Sequence, residues 1–138
     1  MREPSPEQIK AWTDRADKDL RIAKGNLEMG FYDACAVYCE QAVEKYLKAL
    51  YMATEKREPP KTHHVVTLAT DLGMSETEAL PLHKLELDYM AARYPDVPLA
   101  LADEYNAANA TERMGIAERA IAWVKERLQP EEAANGGS

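Results

Sequence analysis

From Phe31 to Thr54 the chain runs without a glycine or proline, and apolar residues cover most of what would be a helix circumference. On a helix of 3.6 residues per turn, Asp33, Glu40, Gln41, Glu44 and Lys48 fall into one narrow polar stripe. Ala34, Val37, Tyr38, Ala42, Val43, Tyr46, Leu47 and Leu50 occupy the rest. A surface helix buries one stripe, whereas a helix apolar over most of its girth needs cover on several sides. This segment is therefore expected to be the central helix.

The flanking segments carry narrower faces. Ser5-Pro6-Glu7-Gln8 reads as a helix start, with Ser at the cap, Pro at the first position and Gln closing a capping box. Ile9, Trp12, Ala16, Leu20, Ala23 and Leu27 then recur in steps of three and four, and Gly30 ends the helix. The short joint predicts antiparallel packing on the central helix. Pro59-Pro60 interrupts the next segment. Thr62 is expected to cap a short helix from His63 to Leu72. Ser75 to Glu78 is a second capping box, followed by a kink or a fresh start at Pro81. Leu82, Leu85, Tyr89 and Ala92 make the next face, up to Arg93-Tyr94-Pro95-Asp96. Asn109 to Glu112 reads as the cap of a last helix bearing Met114, Ala117, Ile121, Val124 and Leu128. The expected product is an all-α, up-and-down bundle of about five helices, with two long antiparallel helices as its spine. One domain covers residues 5–128, and 129–138 is expected to be a disordered tail.

Composition narrows the function classes. With 17 basic against 24 acidic residues, the net charge is −7, which opposes binding to nucleic acid through the global field. Lys45, Lys48, Lys56, Arg57 and Lys61 still gather positive charge near one end of the central helix. Cys35 and Cys39, one turn apart, are poorly placed to bridge and lack further ligands nearby, so they read as small buried hydrophobes and no metal site is expected. No leader and no apolar run long enough for a bilayer is visible, which predicts a soluble, cytoplasmic protein without a membrane partner.

Three polar features are candidates for chemistry. His63 is expected at a helix amino end, where it would donate to a phosphate or exchange a proton near neutral pH. The bland alternative is a ring bonded to Asp19 or Glu44. Glu44 and Lys48 form an i,i+4 pair on the polar stripe. That pair faces a groove, crosses a dimer axis, or is a partly exposed salt bridge. Arg93 suits a carboxylate or phosphate and Tyr94 a base, unless Arg93 only pairs with Asp19, Glu44 or Asp96 to fix the corner of the bundle.

The order of motifs resembles the HEPN domain. The residues concerned are Trp12, Ala16, Asp19, Leu20 and Ala23 in the first helix. The stretch G-x-Y-x-A-x3-Y-x2-Q-A-x-E-K-x-L-K-A-L follows from Gly30 to Leu50. Then come T-H-H-V-V-x-L from Thr62 and L-D-Y-x3-R-Y-P-D from Leu87 to Asp96. The resemblance implies the bundle of nucleotidyltransferase substrate-binding subunits. It also implies a non-catalytic nucleotide-binding or interaction module, acting as a homodimer with a minimal nucleotidyltransferase in a toxin–antitoxin-like pair. The ligand would be a nucleotide or RNA, with no cofactor. Glu44, Lys48, His63, Arg93 and Tyr94 are the candidate ligand-binding residues, and Asp19 and Asp96 the structural polar network. Uncovered apolar surface near Tyr38 and Tyr46 is the expected dimer contact. Nuclease members of the family use an R-x4-6-H motif on a late helix. Here no His follows His83, and the one formal match, Arg57-x5-His63, spans the Pro-Pro loop. A metal-independent ribonuclease toxin using Arg57 and His63 is the alternative.

Overall fold

The computed structural model describes residues 3–93 and 105–136, with side chains as far as Leu128. Tyr94 and Asp96 lie outside the described residues, as do the prolines expected to end the helix before them. Among the described residues six helical segments follow in order: α1 (Pro6–Met29), α2 (Tyr32–Glu55), α3 (Val65–Asp71), α4 (Glu76–Ala79), α5 (Leu82–Arg93) and α6 (Ala107–Gly136). The fold is all-α, and no strand occurs among the described residues.

The start of α1 is the expected capping box, with the Ser5 hydroxyl accepting from the Gln8 N–H and the Gln8 side chain accepting from the Ser5 N–H. At its end Gly30 is left-handed, at φ 84°. The Phe31 and Gly30 N–H groups donate to the Asn26 and Leu27 carbonyls, closing a Schellman turn. That turn sends α2 back along α1. Trp12 accordingly lies beneath Lys48 and Asp19 pairs with Lys45, so early residues of one helix meet late residues of the other.

α2 packs against α1, α3, α5 and α6. Cys35, Ala36, Cys39, Ala42, Val43, Leu47, Ala49 and Leu50 are buried to within one per cent. Both cysteines are free and buried, with the Cys39 thiol 3.5 Å from the Met114 sulfur on α6. Burial of the expected central helix follows from its composition. Covering a rod that is apolar on most sides removes more nonpolar surface from water than any arrangement leaving it outside.

Several local expectations are revised. α3 starts at Val65 rather than His63, because the Thr62 hydroxyl accepts from the His64 N–H and holds His64 out of helical geometry. At Pro81 the fresh start, one of the two expected outcomes, is the one adopted, with α5 beginning at Leu82. The cap of α6 is Asn106, whose side-chain oxygen accepts from the Asn109 N–H, so Asn109 is inside the helix. α6 buries Ile116, Ala120 and Trp123 as well as the expected face. Its backbone continues as helix past Gln129 into the segment expected as a tail. Tyr46 is 3% exposed and its hydroxyl donates to Asp17, so α1 covers it within the chain. Tyr38 is half-buried beside a groove of about 250 Å³ that Val37 and Ala91 also line.

Candidate functional site

Three residues of the polar stripe of α2 are buried, while Asp33 is exposed and Gln41 half-buried. Glu40 is 0% exposed, and Glu44 and Lys48 are 6% exposed each. A carboxylate or ammonium out of water needs partners, because its desolvation costs several kcal/mol. Glu44 has two. Its Oε2 accepts from Lys48 Nζ at 3.2 Å, and its Oε1 lies 2.7 Å from His63 Nδ1. Lys48 Nζ stands 6.0 Å from the centre of the Trp12 ring, within reach of a cation–π attraction.

His63 enters from the α2–α3 loop, half in solvent. Its ring stacks on Tyr89 of α5, with centroids 4.5 Å apart and planes 27° from parallel. The Arg93 guanidinium, one turn further along α5, lies 5.2 Å from the Tyr89 ring centre. Tyr89 thus joins the imidazole and the guanidinium that the sequence keeps apart. An open cavity of about 310 Å³ borders this corner, lined by Lys61, Thr62, His63, His64, Glu86 and Tyr89 among others.

Glu40 lies beneath. Burial, followed by the Glu44 charge and a hydrogen bond with Glu44, pushes its carboxyl up to about 9, against the opposing pull of Gln41 and Lys45. Gln41 Nε2 donates to one Glu40 oxygen at 2.7 Å, while the other, Oε1, is buried and receives no N–H or O–H from a neighbouring donor. Asp19 of α1 pairs with Lys45 of α2.

A family model described as the HEPN domain matches residues 9–127. The chain belongs to the HEPN domain family. Two solved structures resemble this HEPN protein throughout. The crystal structure of TT1696 from Thermus thermophilus is 28% identical, covering 87% of this chain and 98% of its own, with a TM-score of 0.78. That of ST0689, an archaeal HEPN homologue, is 25% identical, covering 87% and 97%, with a TM-score of 0.74. Among curated proteins none matches. No helix among the described residues is long and apolar enough to cross a membrane.

Of the residues selected from the sequence, Glu44, Lys48, His63 and Arg93 come together in this HEPN bundle. Of the three carboxylates named as alternatives for Arg93, Asp19 and Glu44 are engaged elsewhere, by Lys45 and by Lys48 with His63. Arg57 does not join them: its guanidinium lies over the Tyr51 ring at 5.6 Å, while His63 is held by Glu44 and Tyr89. Sequence reasoning assigned Tyr89 to the core and missed its place between His63 and Arg93. It also missed Asp88, 4% exposed, which accepts from Arg113 Nε at 2.8 Å and from the Tyr105 hydroxyl. The available signal was a carboxylate three residues after Leu85, on the apolar face of α5.

Proposed function

We propose that this HEPN protein is a non-catalytic module that binds a nucleotide at the Lys48–His63–Tyr89–Arg93 corner. It acts as a homodimer with a minimal nucleotidyltransferase, in a toxin–antitoxin-like pair. One observation carries the ligand reading: an imidazole and an aromatic face line one open cavity, with a buried ion pair bonded to that imidazole and a guanidinium against that ring. A flat aromatic pair suits a base, and fixed cations suit phosphates. Dimerisation and the enzyme partner follow from what the family resemblance implies. Exposed Phe31, Leu87 and Met90 supply apolar surface for such contacts.

Calorimetric titration with ATP and GTP tests the ligand reading, and static light scattering the dimer. Saturable binding that weakens in Arg93→Ala supports the site. Silence with both nucleotides counts against it, and a monomer at micromolar concentration counts against the dimer. The ribonuclease alternative needs Arg57 and His63 to act together, and they have separate partners here. RNA cleavage by the wild type that is lost in both Arg57→Ala and His63→Ala would reverse this preference.

A further inference from the structure

The carboxylates of Glu40 and Glu44 and the imidazole of His63 each offer one donor atom, and these atoms lie within 4.8 Å of one another. The two glutamates are one turn apart on α2, and the histidine reaches them from the α2–α3 loop. Such proximity alone would be ordinary. What distinguishes this cluster is Glu40 Oε1, a buried carboxylate oxygen on a fully buried side chain, which faces the Glu44 carboxylate and to which no N–H or other donor group is supplied. Buried polar atoms are rarely left unserved, and one that is calls for a specific explanation. Two neighbouring buried carboxylates stay ionised together only with a cation between them; otherwise one of them holds a proton. Lys48 neutralises Glu44 from its other oxygen, and Gln41 serves the other oxygen of Glu40, so neither attends to Oε1.

We propose that Glu40, Glu44 and His63 form a binding site for one divalent first-row transition ion, with zinc the best fit. Two carboxylate oxygens and one imidazole nitrogen are a borderline donor set that suits zinc, and three protein ligands leave a fourth position for water. His63, half in solvent, gives such a site access to water. Zinc–ligand distances of about 2.0–2.2 Å put tetrahedral ligands about 3.4 Å apart. The His63 Nδ1 to Glu44 Oε1 separation of 2.7 Å therefore has to open slightly while Glu40 closes in. The loop carrying His63 allows this without disturbing the α2 backbone. Lys48 stays on Glu44 Oε2 as the outer-shell partner that orients the ligating carboxylate, and Tyr89 holds the imidazole plane. The inference is independent of the nucleotide reading, because the ion alone is the probe.

Chelator-treated full-length protein, free of nucleotide, is titrated with zinc chloride by calorimetry, alongside Glu40→Gln and His63→Ala. His63 is half-exposed, so its removal leaves the core intact even if the Glu40 variant folds poorly. One zinc per chain is expected at micromolar affinity or tighter, weakened at least about tenfold in each folded variant. Cobalt bound in place of zinc should give the intense visible absorption of a four-coordinate site, displaced by zinc. Absence of saturable binding at millimolar zinc, or binding unchanged in His63→Ala, overturns the proposal and leaves a shared proton as the occupant between the carboxyls.

Discussion

The His63 imidazole lies against the Tyr89 ring at 4.5 Å, and through that stack a loop residue is fixed between the central helix and α5. Glu44 holds the same imidazole from the other side. The stack therefore belongs to the architecture of the bundle as well as to the candidate site. Tyr89 is 6% exposed. Tyr89→Leu keeps most of its apolar volume and loses the aromatic pair, so urea denaturation should show about 0.5–1.5 kcal/mol less stability beyond any loss of burial.

The Glu44–Lys48 pair is closed off from water, unlike the exposed Lys10–Asp14 pair on α1. Lys48→Met leaves the buried Glu44 carboxylate without its ammonium partner and should cost about 3–5 kcal/mol. The Glu44→Gln/Lys48→Met double variant should recover much of that loss, because no uncompensated charge is left behind. A double-mutant cycle by chemical denaturation reads this coupling, and additive single effects would place the two side chains in separate environments.

Leu47 is wholly buried at the centre of α2, whereas Leu87 on α5 is half-exposed. Truncation of Leu47 to Ala should destabilise the bundle by about 2–5 kcal/mol through lost burial and a residual cavity. Leu87→Ala should change folding stability little. Equal effects in thermal and urea unfolding would mean that α2 is not the enclosed rod.

α5 and α6 are clamped by Lys84, Glu112 and Arg113 around Asp88. The hydrogen bond from Lys84, aided by the charges of Lys84 and Arg113, holds the Glu112 carboxyl below its ordinary value of 4.5. A lowered folded-state value means that the contribution is present above 4.5 and is lost as pH falls through the depressed value. Glu112 is largely exposed, so solvent screening limits the effect to a fraction of a kcal/mol. The urea midpoint should fall less between about pH 7 and pH 3 in Glu112→Gln than in the wild type.

How much of this was legible in the sequence depends on the range of each interaction. The α1 cap, the Gly30 turn and the length of α2 are set by residues within one or two turns of each other, so local pattern revealed them. The polar stripe of α2 was visible as a stripe, but its burial was not. Whether Glu40 meets water is decided by neighbours far along the chain. His63 illustrates the middle case: its bond to Glu44 was one of two alternatives. The choice rested on where α3 begins, and the Thr62 side chain shifted that start by two residues. Asp88 found its partner Arg113 on a different helix, and nothing in the local sequence names it.

The most direct measurement is a backbone amide NMR titration of the full chain with ATP and with GTP. Shifts are expected to concentrate in the loop around His63 and along α5 from Glu86 to Arg93, with a smaller response near Lys48. Shifts clustered instead around the groove of Ile9, Met52 and Leu128, or none with either nucleotide at millimolar concentration, would contradict this expectation.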